Sequence, residues 1–61
     1  MTESLPTVLL VEDEDSIRLS LRDYLKIKGF TVHVASDGVG ALKIILDTTI
    51  DVVVKIGRAH D

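Results

Sequence analysis

"VLLVEDEDS", residues 8–16, runs from four apolar side chains into four consecutive acids. With Thr7 it reads as a strand over Thr7–Val11, continuous in β-branched residues and leucine and short enough to be buried on both faces. The acids then stand at the carboxyl end of that strand. Ser16 or Asp15 offers an N-cap there, and carboxylates in the first turn suit the positive end of a helix.

Outward from this junction the periodicity changes. Ile17, Leu21 and Leu25 recur four apart with Tyr24 beside them, and Arg18, Arg22, Asp23 and Lys26 take much of the other side. Gly29 closes this helix as a C′ residue, with Lys26 and Lys28 in its last turn. A second strand spans residues 30–35, and Ser36, Asp37 and Gly38 form a turn able to cap the next helix. That helix sets Leu42, Ile45 and Leu46 on one face and runs to about Asp47. "IDVVV", residues 50–54, is a third buried strand. Strands alternating with helices predict α/β architecture: a βαβαβ unit with a parallel sheet and right-handed crossovers.

Sixty-one residues allow one small domain with a thin margin of stability. The absence of cysteine excludes disulfides, thiolate metal sites and a cysteine nucleophile. A net charge of −3 without a Lys/Arg cluster argues against direct binding of nucleic acid. No apolar stretch approaches the ~20 residues that cross a membrane. The first six residues read as a lead without the basic and apolar regions of a signal peptide, so a cytoplasmic protein is expected.

In a parallel α/β sheet ligands bind beyond the carboxyl ends of the strands. Glu12 and Asp13 occupy that end of the first strand. Two carboxylates about 5 Å apart repel by roughly 3 kcal/mol at an effective dielectric of 20. A hard divalent cation offsets this, and Mg²⁺ commonly takes one or two protein carboxylates with water and phosphate oxygens. The plainer reading makes all four acids a solvated loop and cap. An EF-hand loop fails, because Ile17 and Arg18 stand where an acid or Asn and then Gly are required. His33 lies alone in a strand without a partner His or Cys. "GVG" at 38–40 lacks the third glycine of a dinucleotide fingerprint, since Lys43 stands there.

The succession of an apolar strand, an acidic pair, "SIR..L..YL...GF.V..A.DG..AL" and "DVVV" resembles the receiver domain of two-component response regulators over residues 7–54. The resemblance implies the N-terminal half of a flavodoxin-like, doubly wound sheet, with strand order 2-1-3 over this stretch. It implies that Glu12 and Asp13 hold Mg²⁺, Asp13 the more directly, with weak binding expected from these residues alone. It also implies phosphotransfer from a sensor histidine kinase to an aspartate at the end of the third strand, and an output domain or protein as the further partner. That aspartate does not carry over: its expected position is Ile56, and Asp61 lies about five residues, or some 16 Å of extended chain, too late. From Lys55 onward "KIGRAHD" departs from the pattern, and "KIGRAH" looks like a translated sequencing adapter. Residues 55–61 are therefore expected to be foreign to the native sequence and the chain a truncated receiver domain.

The expected function is a phosphorelay signalling module and not an enzyme. A phosphorylation-independent protein–protein interaction module is the alternative. A small Mg²⁺-dependent enzyme is disfavoured, since one acidic pair lacks a nucleophile and a base. Left unpaired, the third strand's outer edge is expected to promote dimerisation or aggregation.

Overall fold

The computed structural model describes residues 5–56; most of the N-terminal lead and of the tail, with His60 and Asp61, lie outside the described residues. Its elements follow in the order β1 (Thr7–Val11), α1 (Asp15–Ile27), β2 (Thr31–Ala35), α2 (Gly38–Asp47) and β3 (Val52–Lys55). All three strands are parallel in the order β2-β1-β3, with Val8 opposite Val32 and Val52, and Val11 opposite Ala35 and Lys55. The α/β class and the 2-1-3 order of a flavodoxin-like sheet are as expected.

The unbroken apolar run makes β1 the central strand. Leu9 and Val11 pack with Ala35 and with Ala41 of α2, and Ile44 and Ile50 close against them. Leu10 points to the opposite face by the two-residue pleat, and both Leu9 and Leu10 are 0% exposed. Both faces of β1 are therefore covered. The first crossover steps from β1 to β2 and the second returns from β2 past β1 to β3, and right-handed connections in opposite directions set α1 and α2 on opposite faces. Each helix packs on β1 and β2, and neither packs on β3.

The helix ends refine the expected boundaries. Gly29 has φ 102°, Gly29 N–H donates to Lys26 C=O, and Phe30 N–H donates to Leu25 C=O, which together make a Schellman close. At the other end the N-cap of α1 is Glu14, not Asp15 or Ser16, and its side chain makes no capping bond. The reason is local: Asp15 sits in the first turn and its carboxylate is held by Arg18 at 2.6 Å. In α2, Asp37 does cap, accepting from Gly40 N–H at 2.8 Å.

Three packing expectations are corrected. The face of α2 turned to the sheet carries Ala41 and Ile44, while Leu42, Ile45 and Leu46 are exposed, Leu46 to 78%. The helix meets the sheet through a small residue, Ala41, packed with Ala35 and Val11, while Gly40 lies beside Ala35. The stripe of α1 also lies more open than expected, with Ile17 and Tyr24 exposed, Leu21 and Leu25 half-buried, and no buried residue. The third strand starts at Val52 and not at Ile50, and it is not buried as expected, since Val52 and Val53 are exposed on the sheet's edge. Asp51 is used instead in a clasp: its carboxylate accepts from Thr7 N–H at 2.8 Å while its own N–H donates to Thr7 C=O at 2.9 Å.

Candidate cation site

Beyond β1 the ladder continues for one residue, where Glu12 N–H donates to Ala35 C=O at 3.0 Å. That bond draws Glu12 into the carboxyl edge of the sheet, where only 3% of it stays exposed. Its Oε2 accepts from Glu14 N–H at 2.9 Å, a local bond that folds the loop back on itself. Its Oε1 is buried and has no hydrogen-bonding partner among the described residues. Asp13, the next residue, is exposed.

Arg18 reaches this loop from the first turns of α1. One terminal nitrogen donates to Glu12 C=O at 2.9 Å and the other to Asp15 Oδ1 at 2.6 Å. The four acids thus take different positions. Asp15 is paired, Glu14 begins the helix, and Glu12 and Asp13 remain beside the strand end without a cationic side chain on either carboxylate among the described residues. Ile56 adjoins them, its N–H donating to Val11 C=O at 3.4 Å across from β3. An apolar side chain therefore occupies the register position beside Glu12.

A buried carboxylate oxygen with no donor is costly, by roughly 1–3 kcal/mol or more for a charged group. A hard cation relieves that cost, so the donor set fits a divalent ion of the Mg²⁺ type. No cluster of three or more His, Cys, Asp or Glu side chains is assembled among the described residues. A tetrahedral zinc site needs such a cluster, whereas Mg²⁺ keeps several waters beside one or two carboxylates.

The remaining residues noted in the sequence lie elsewhere. His33 is half-buried in β2, opposite Leu9. Gly38, Val39 and Gly40 form the first turn of α2, whose Gly40 N–H is already taken by Asp37, so the turn is not a free phosphate cradle. Two features escape a reading of the sequence. The Asp15–Arg18 pair has the i,i+3 spacing that could have signalled it. The Thr7–Asp51 clasp joins residues 44 apart and leaves no local signal.

Known proteins resemble most of the chain. "Sensor kinase CckA" of Brucella abortus (strain 2308) is 50% identical over 50 residues, which cover 79% of this chain and 5% of that protein. "Response regulator MprA" of Mycobacterium sp. (strain KMS) is 43% identical over 47 residues, or 77% of this chain and 20% of that protein. Its namesake in Mycobacterium ulcerans (strain Agy99) matches to the same extent. The chain thus spans a fifth or less of the length of these relatives. No family model matches the chain, and no solved structure matches it. No helix among the described residues is long and apolar enough to cross a membrane. The parallel sheet in the order β2-β1-β3, the acids at the end of its central strand and these likenesses over most of the chain place it in the receiver-domain family of two-component response regulators.

Proposed function

We propose that this chain serves as the cation-binding half of a phosphorelay receiver, with Glu12 and Asp13 holding Mg²⁺ and no acceptor aspartate of its own. The observation that carries this reading is the buried, partnerless Glu12 Oε1 at the carboxyl end of the central strand. Bound there, Mg²⁺ supplies positive charge to phosphate oxygens. Glu12 presents its free oxygen from a buried position, and Asp13 offers a carboxylate from the exposed side. Ile56 stands where the family pattern has its phosphorylated aspartate, and its hydrocarbon side chain cannot take a phosphoryl group. The module is accordingly a signalling element and not an enzyme. Its partners in that role are a sensor histidine kinase and an output domain or protein, in a cytoplasmic setting.

Titration of the chain with Mg²⁺, followed by NMR, tests the site. Resonances of Glu12 and Asp13 move together at millimolar Mg²⁺; unchanged resonances defeat the reading. Ile56→Asp adds a third carboxylate beside Glu12, and the expected result is tighter Mg²⁺ binding.

A second reading is favoured by β3, whose outer edge is unpaired among the described residues and whose Val52 and Val53 are exposed. In it the chain acts by protein–protein contact, independently of phosphorylation. A stable dimer in sedimentation with no response to Mg²⁺ selects this reading over the first.

A further inference from the structure

Arg18 spans the acidic loop from its first residue to its fourth. Its guanidinium donates to Glu12 C=O at 2.9 Å and to Asp15 Oδ1 at 2.6 Å. The Arg18 side chain is 16% exposed, whereas that of Asp15 is 80% exposed. The less exposed member of the pair is therefore the cation, an arrangement a mere surface ion pair does not need. Moreover, Arg18 grips Glu12 by its main chain and not by its carboxylate. Oε2 is taken by Glu14 N–H, and Oε1, buried and partnerless, is left for another ligand.

From this placement we infer that Arg18 is a positioning residue for a divalent cation at Glu12 and Asp13. It fixes the loop so that the Glu12 carboxylate stays at the strand end, and it draws Asp15 away from the site. The inference rests on the cation reading above. Two effects of the guanidinium oppose each other. Its positive charge repels an incoming cation, while its two-pronged grip removes freedom from the loop that must hold one. The grip prevails because the fork is spent on a carbonyl and on Asp15, which mute its charge toward the ion.

Lysine separates the two effects, since it keeps the charge but is a single compact donor that cannot bridge both acceptors in the same way. Mg²⁺ affinity is measured by NMR titration of the full chain and of two variants. Arg18→Lys is expected to weaken binding about tenfold, the low end of what is lost when a group supporting a metal ligand is removed. Arg18→Gln, which loses the charge as well, is expected to weaken it too. Unchanged affinity in Arg18→Lys, or tighter binding in Arg18→Gln, overturns the inference, because charge alone would then be at work. The unaltered chain provides a test that no folding defect can obscure: the Arg18 terminal N–H protons should give separate, exchange-protected signals that persist at saturating Mg²⁺. A single averaged signal overturns the grip. If Glu12 and Asp13 in the unaltered chain do not respond to Mg²⁺, the cation reading falls and this inference with it. If they respond and Arg18→Lys binds equally well, this inference alone falls.

Discussion

β1 reads TVLLV and β3 reads VVVK, and in composition the two differ little. In the fold they differ greatly. β1 has a parallel strand on each side and a helix over each face, and its two leucines are wholly buried. Among the described residues β3 pairs with β1 alone, neither helix packs on it, and Val52 and Val53 are exposed. Burial here follows a strand's place in the sheet, which the winding of the chain decides, and not its hydrophobicity. Stability is thus concentrated in one strand, while a second, also largely apolar one is held by a ladder and a terminal clasp.

The sharpest way to break this comparison is to truncate a side chain in each strand. Leu9→Ala or Leu10→Ala removes a fully buried leucine and should cost about 2–5 kcal/mol. In a chain with so little margin, the cooperative thermal transition seen by circular dichroism should disappear. Val53→Ala deletes a half-open side chain in β3 and should cost less than about 1 kcal/mol, since most of that surface already meets water. Equal losses at the two sites would show that β3 is as deeply held as β1.

The next effect concerns the helix that covers β1 and β2 but leaves β3 bare. Asp37→Ala removes the α2 cap and should lower stability by about 1 kcal/mol. Hydrogen exchange should then quicken in α2 while β3 amides change little. Uniform acceleration across all three strands would mean that α2 supports β3 as well.

These differences mark where the sequence was legible. β1 was readable to the residue because its run of apolar side chains is unbroken, and Gly29 and Asp37 because each performs a local task that few residues can. The cap of α1 was not readable, since Glu14, Asp15 and Ser16 all stand near the helix start and the choice depends on Arg18 engaging Asp15. The packing face of α2 was misjudged because Gly40 and Ala41 carry a weak hydrophobic signal, while the exposed Leu42, Ile45 and Leu46 carry a strong one. At the proposed cation site, the acids and their place at a strand end were visible. The burial of Glu12 was not, because it depends on a bond to Ala35, a residue on another strand.

The clasp supplies a finer test. Asp51→Ala removes the carboxylate that accepts from Thr7 N–H and should cost about 0.5–1.5 kcal/mol, the ordinary net worth of such a bond. Asp51→Asn keeps an acceptor at the same place and should retain most of it. The loss should appear in β3 first, as faster exchange at Val52 to Val54, with β2 unaffected. Exchange quickening equally in both strands would mean that the sheet opens as one unit and that β3 is no weaker than its neighbours.

The smallest expected change in stability comes from Val53→Lys, at a half-open position on the edge strand, within about 0.5 kcal/mol of the unaltered chain. Its effect on association should be much larger. An edge strand offers unpaired N–H and C=O groups to other chains, and a lysine there makes pairing unfavourable by charge and by the need to keep its ammonium in water. Sedimentation velocity over a range of concentrations should show the unaltered chain associating as concentration rises, and Val53→Lys remaining monomeric at the same concentrations. Leu46→Lys is the matched control, because Leu46 is exposed to an even greater degree but lies on a helix, which offers no strand edge to pair. If Leu46→Lys suppresses association as well as Val53→Lys does, the contact is general apolar adhesion and not strand pairing. If only Val53→Lys does so, the exposed edge of β3 is the surface through which copies of this chain meet.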